Sequence, residues 1–252
     1  MTSTSFDFAY PWWLESGHLV VALVAIVILL AGWRLGLNRW FVRLVGVVAV
    51  WASCAALAIA AVGINRAPEL PTQQFFTAGT GTVIDLGAGT GRSSVMVLRG
   101  RPQATLVAVD LFGDSFEHHF GPAASARDLL STNLRAAGVE ARATVQTADV
   151  TALPFPAASF DAAVSAYVFE HLGSSGARVA LAEAHRVVKS GGDFLLILVA
   201  NDWRTKLAFG PMLAHGGVRG EAWWREAATE AGFRVAEVGS APATLYLLLR
   251  RS

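Results

Sequence analysis

Two uncharged apolar runs near the start of the chain restrict what it can become. Leu19 to Trp33 reads LVVALVAIVILLAGW, and Leu44 to Ile64 reads LVGVVAVWASCAALAIAAVGI. Neither contains Asp, Glu, Lys or Arg. A helix needs about 20 predominantly apolar residues to cross the hydrocarbon core of a bilayer. The second run has that length, and Trp12, Trp13 and Leu14 extend the first toward it. Such segments have two outlets: a membrane hairpin, or buried helices of a soluble bundle. A cleaved signal peptide fits poorly, because no Lys or Arg precedes the first run. The expectation is a membrane-embedded helical hairpin over residues 1–66.

The charge content agrees. Only 15% of the residues are charged, against roughly 25% in soluble domains. The net charge of +1 creates no field that would favour nucleic acid as a partner. Cys54 is the one cysteine, which excludes an internal disulfide and a multi-cysteine metal site. No metal is expected. The linker between the runs, RLGLNRWFVR, carries Arg34, Arg39 and Arg43. The positive-inside rule would place it in the cytoplasm, with both chain ends outside. A shallow hairpin, or helices lying in the interface, would relax that constraint.

Past a Pro-containing linker, NRAPELPT from Asn65, residues 67–252 read as a soluble α/β domain. Strand-like segments TVIDLG, TLVAVDL, RATVQTAD, FDAAVSAY and GDFLLILVA alternate with helical ones, ASARDLLSTNLRAAGV and SSGARVALAEAHRVVKS among them. EAWWREAATEAGF forms a further helix, and RVAEVGS with ATLYLLLRR reads as a closing antiparallel pair. That alternation predicts a parallel sheet covered on both faces.

The first strand ends in VIDLGAGTGR, with Gly87, Gly89 and Gly91 at every second position. Glycines there allow positive φ and close backbone approach to a ligand. The spacing is not the phosphate-loop pattern, and its third glycine comes one residue early for the dinucleotide fingerprint. Asp85 sits at the strand end, either meeting a ligand or ordering the turn.

In these segments the chain resembles the class I S-adenosylmethionine-dependent methyltransferases, in the branch that includes quinone-biosynthesis enzymes. The resemblance runs from about Thr80 to Arg250. It rests on VIDLGAGTG, VAVDL, TADVTALPFPAASFDAAVSAYVFEHL and AEAHRVVKSGGDFLLI, with Ser190 where the family usually has proline. It implies a Rossmann-like methyltransferase fold, a mostly parallel seven-stranded sheet with helices on both faces, here preceded by two hydrophobic α-helices. It also implies S-adenosyl-L-methionine as cofactor, bound by Asp85, Gly87, Ala88, Gly89, Gly91, Asp110, Leu111, Asp149, Val150 and Tyr167. Asp110 would take the ribose hydroxyls, Asp149 the adenine amino group, and Val150 would pack on the adenine ring.

Methyl transfer from a sulfonium needs a general base only when the acceptor must lose a proton. His171 is the candidate base and Tyr167 a second candidate; alternatively Glu170 and His171 open the next helix. FGDSFEHHFGP, with Asp114, Glu117, His118 and His119, is a candidate lid or a surface loop. NDWRTKLAFGPMLAHGG, with Trp203, Arg204, Lys206, Leu207, Phe209, Met212 and Leu213, could cover an apolar acceptor or meet lipid headgroups. The expected function is a membrane-attached methyltransferase, with its catalytic domain on the cytoplasmic side, acting on a small hydrophobic acceptor such as a lipid or quinone-like compound. The alternative is a membrane-anchored protein that binds the cofactor without transfer.

Overall fold

The computed structural model describes residues 6–62, 67–113, 125–210 and 218–252. The segment with Asp114, Glu117, His118 and His119 lies outside them, as do Met212, Leu213 and the boundary at residue 66.

Both apolar runs form helices, α1 (Trp12–Arg34) and α2 (Arg39–Val62). Between them Gly36 takes a φ of 65°, and the Leu37 N–H reaches back to the Gly32 carbonyl at 2.9 Å. This closes α1 with a left-handed cap that a side chain would strain. The Asn38 carboxamide oxygen then accepts the Trp40 N–H at 2.9 Å and starts α2. The helices pack antiparallel. Both are long and apolar enough to cross a membrane; the 23 residues of α1 rise about 34 Å. The residues α1 buries are small, Ala22, Ala25 and Gly32. Its large side chains point outward all round, so it lacks the polar face of a helix lying in an interface.

The rest is a seven-stranded sheet in the order β3-β2-β1-β4-β5-β7-β6. Its strands are β1 (Thr80–Leu86), β2 (Gln103–Asp110), β3 (Ala143–Thr147), β4 (Phe160–Ala166), β5 (Val188–Val199), β6 (Phe233–Ala241) and β7 (Thr244–Arg251). The first five run parallel. β7 is antiparallel to both β5 and β6. The helices are α3 (Arg92–Gly100), α4 (Ala126–Ala136), α5 (Gly173–Val187), α6 (Trp203–Phe209) and α7 (Glu221–Glu230).

Alternation along the strands splits the core in two. Phe194, Leu196 and Leu198 join Leu181 of α5 and Trp224 of α7 on one face. Leu195 and Ile197 join Val95 of α3 and Leu130 of α4 on the other. Burial on both faces explains why these strands read as unbroken apolar runs. β5 starts earlier than GDFLLILVA suggested, because Lys189 pairs with Asp161 of β4 at 2.6 Å and draws the chain into the sheet before Gly191.

One stretch departs from the expected division of the chain. Phe6 and Phe8, placed with the hairpin by the sequence, belong to the sheet domain's core on the α3/α4 side. The buried Asn133 of α4 holds them there. Its side chain accepts the Asp7 N–H at 3.0 Å and donates to the carbonyls of Asp7 and Thr90, at 2.6 and 2.9 Å. The chain therefore crosses the sheet domain before it enters α1.

Candidate active site

The turn after β1 is tied to β2. The N–H groups of Gly87 and Ala88 both donate to the Val109 carbonyl, at 2.8 and 2.9 Å. The Gly89 N–H donates to Asp110 Oδ2 at 2.9 Å, and the Phe112 N–H to Asp110 Oδ1 at 2.9 Å. Gly87 has a φ of 77°, and a Cβ there would come within 2.6 Å of Val168. No side chain fits that position, for backbone and packing reasons together.

Above the turn lies a cavity of about 420 Å³, within the size range of small-molecule and cofactor sites. Gly87, Ala88 and Gly89 form one wall and Asp110 and Leu111 the β2 end; Asp149 and Val150 follow β3, and Tyr167 and His171 follow β4. Nine of these positions were expected from the sequence, and they converge from four separate segments. Asp110 keeps acceptor capacity, because each carboxylate oxygen has a second lone pair. Asp149 Oδ1 accepts from both the backbone and the hydroxyl of Thr151, at 2.8 and 2.7 Å, which leaves Oδ2 to bind an amino group.

Two expected cofactor residues lie elsewhere. Asp85 is fully buried behind the turn and outside the cavity lining. It accepts the Ser93 hydroxyl at 2.8 Å and the Ser94 hydroxyl at 2.5 Å, which fixes the first turn of α3. Burial pushes its pKa up to about 7, with the Asp110 charge adding and the two serines opposing. Gly91 likewise lies outside the lining; its φ of 89° starts α3, and a Cβ there would meet Leu130 at 3.1 Å. Of the two readings open for Asp85, the structure carries the ordering one.

The catalytic candidates also separate. Tyr167 lines the cavity, but its hydroxyl is bonded to that of Thr244 at 2.8 Å. Burial raises its pKa despite that bond, so it is a wall and not a base near neutrality. Glu170 turns inward: Oε1 accepts the Val199 N–H at 2.6 Å, and Oε2 is buried without a partner. Burial lifts the Glu170 carboxyl to about 7. His171 alone of the three lies at the cavity with an exposed side chain.

Sequence reasoning missed the opposite wall, Phe8, Tyr10 and Arg92. The Arg92 guanidinium lies 5.1 Å from the Phe8 ring and 5.9 Å from the Tyr10 ring. The Thr90 hydroxyl donates to the Phe8 carbonyl at 3.2 Å. Burial raises the Tyr10 phenol's pKa, and Arg92 offsets part of that rise. The aromatic alternation Phe6, Phe8, Tyr10 in FDFAY was the available sign of an extended, half-buried segment.

A glycine turn after β1, acids at the ends of β2 and β3, and an antiparallel β7 inserted between β5 and β6 define the class I S-adenosylmethionine-dependent methyltransferase fold. Residues 83–192 match the family model described as a methyltransferase domain. Those residues carry a methyltransferase domain, and the class it resembles uses S-adenosylmethionine as cofactor. Among its relatives is the ubiquinone/menaquinone biosynthesis C-methyltransferase UbiE of Syntrophotalea carbinolica. The two are 29% identical over 136 residues, 54% of this chain and 51% of the relative. The chain thus spans about half the length of that curated relative. Solved structures share the fold. An O-methyltransferase family protein from Burkholderia thailandensis superposes with a TM-score of 0.57 at 20% identity, covering 82% of this chain and 60% of that one. The N,N-8-amino-8-demethyl-D-riboflavin dimethyltransferase RosA of Streptomyces davawensis gives 0.55 at 20%, covering 85% and 59%.

Proposed function

We propose that this protein is a membrane-attached methyltransferase that moves a methyl group from S-adenosylmethionine to a small hydrophobic acceptor. The observation that carries this reading is the cavity itself. Glycine-turn backbone, two acids and an apolar surface face one space of cofactor size. The relative's printed role in quinone biosynthesis supports an apolar, ring-bearing acceptor.

The cofactor supplies an electrophilic methyl on a sulfonium, so the protein's work is positioning and exclusion of water. Asp110 would accept hydrogen bonds from the ribose hydroxyls, and Asp149 would accept one from the adenine amino group. Val150 would pack on the base, and Gly87 to Gly89 would admit the methionine part close to the backbone. His171 takes the proton of an acceptor hydroxyl where there is one. The hairpin anchors the domain, whose side is cytoplasmic on this reading because the cofactor is made there, against the arginine bias of the turn between α1 and α2.

Calorimetry on the full chain in nanodiscs should show saturable binding of S-adenosylmethionine and none of NAD. With tritium in the cofactor's methyl group, a total lipid and quinone extract should acquire label. NAD binding without S-adenosylmethionine binding would overturn the cofactor assignment. Cofactor binding with no labelled acceptor from lipid or soluble extracts would leave a binding protein in place of an enzyme.

A further inference from the structure

The hairpin and the cavity meet at one edge of the sheet. The cavity lies beyond the carboxyl ends of β1, β2 and β4. Tyr10 lines it, and α1 starts at Trp12. Two residues span at most about 7 Å, so the first turn of α1 begins at the cavity wall. α6, which follows the carboxyl end of β5, packs on α2. Thr205 of α6 and Ile59 of α2 are buried.

A second observation is independent of chain continuity. Among the described residues of the sheet domain, three large apolar side chains are exposed: Leu111, Val179 and Trp203, at 56%, 47% and 68%. Two of them are on this same edge. Leu111 is on the cavity rim, and Trp203 opens α6, with the Arg204 guanidinium 5.5 Å from its ring. Tryptophan beside arginine is the composition of a membrane–water interface. The hairpin repeats it at its far turn and carries tryptophans at both ends. Trp12 and Trp13 stand at the domain end, Trp33 and Trp40 at the far turn beside Arg34 and Arg39, and all four tryptophans are exposed.

We infer that the carboxyl edge of the sheet rests on the bilayer surface, with Trp203 and Leu111 in the interface and the cavity mouth opening against lipid. An apolar acceptor dissolved in the membrane then reaches the cavity sideways. Its alkyl parts avoid the unfavourable exposure to water that a route through solution imposes. The occupant of this edge is a phospholipid bilayer. The inference rests on the membrane attachment proposed above and is independent of methyl transfer.

The test uses the full chain with Cys54→Ser and one new cysteine, labelled with bimane, in nanodiscs of phosphatidylcholine and phosphatidylglycerol. Leu111→Cys is the informative site, and Trp203→Cys is a second site outside the cavity. Gln103→Cys, exposed at the amino end of β2, is the control at the opposite edge. Lipid spin-labelled at carbon 5 of its chain should quench positions 111 and 203 at least twofold more than position 103. Aqueous iodide should show the reverse order. Equal lipid quenching at all three positions, or iodide quenching at 111 matching that at 103, overturns the inference. Strong lipid quenching, with no methyl transfer by the unlabelled parent chain, would sink the enzyme reading and leave this one standing.

Discussion

The hairpin and the sheet domain solve opposite packing problems with similar residues. In the sheet domain the large apolar side chains are mostly inside, and the exposed exceptions number three among the described residues. In α1 the buried residues are Ala22, Ala25 and Gly32, while Leu23, Val27 and Leu30 face out. α2 buries Ala49, Ala52 and Ala55 in the same way, with Ile59 its one large buried side chain among the described residues. Small residues let two backbones approach closely, which is how helices associate when the surroundings are as apolar as the side chains. The contrast supports the proposed reading in which lipid, not water, surrounds the hairpin.

The comparison can be tested from the strongest expected effect downward. Gly87→Val forces a side chain into Val168 at a positive φ and should abolish cofactor binding by calorimetry, with a stability loss of about 2–4 kcal/mol. Unchanged binding would remove the turn from the site.

Next, the seam between the regions can be cut in two places. Deleting residues 1–66 removes Phe8 and Tyr10 from the cavity wall and should weaken S-adenosylmethionine binding at least tenfold. A chain that keeps residues 1–10, joined by a flexible linker to residue 67, should retain most of the affinity. If both truncations bind alike, the N-terminal segment is not part of the site. Asp110→Ala should cost about 1–3 kcal/mol of cofactor affinity, the range for a lost charged hydrogen bond.

Glu170→Gln is a smaller effect, confined to the sheet domain. The folded-state pKa of Glu170, about 7, exceeds its ordinary value. The native state therefore holds this proton more tightly than the unfolded chain does. The associated stability is fully present below about pH 4.5 and is lost as pH rises through about 7. The glutamine variant should be more stable than the parent at pH 8, by roughly 1–3 kcal/mol, and equal to it near pH 4.5. Thermal unfolding at the two pH values reads this directly. A gain of the same size at both would mean that ionisation is not the cause.

The smallest effects probe the hairpin. Ala52→Leu overpacks the α1–α2 contact, at a cost of about 1–3 kcal/mol. Leu57→Ala, on the outward face, should change stability in nanodiscs by about 0.5 kcal/mol or less. The opposite ranking would mean that the outward face is packed against protein.

Much of the molecule was legible before folding. Apolar length marked α1 and α2, and alternating segments with glycine and proline punctuation marked the strands. Gly87, Gly89, Asp110, Asp149 and Val150 reached the cavity from motifs alone, because a turn between strand and helix is a local event. What the motifs left open was which acids face the cavity. Asp85 and Glu170 are acids next to motif positions, and sequence cannot say which way a side chain leaves the backbone. The strand pleat and a short helical turn sent both into the core, where burial lifts their pKa values.

By itself, the sequence determined the periods: which stretches are helix or strand, which glycines allow a positive φ, and which segment is long and apolar enough to cross a membrane. Only the tertiary structure decided that Phe6 to Tyr10 crosses the sheet domain and walls the cavity before α1 begins. That choice depends on Asn133, 126 positions from Asp7 along the chain, satisfying backbone groups of two segments at once. Hydrogen bonds across such distances form only when the whole fold closes, so no local pattern records them.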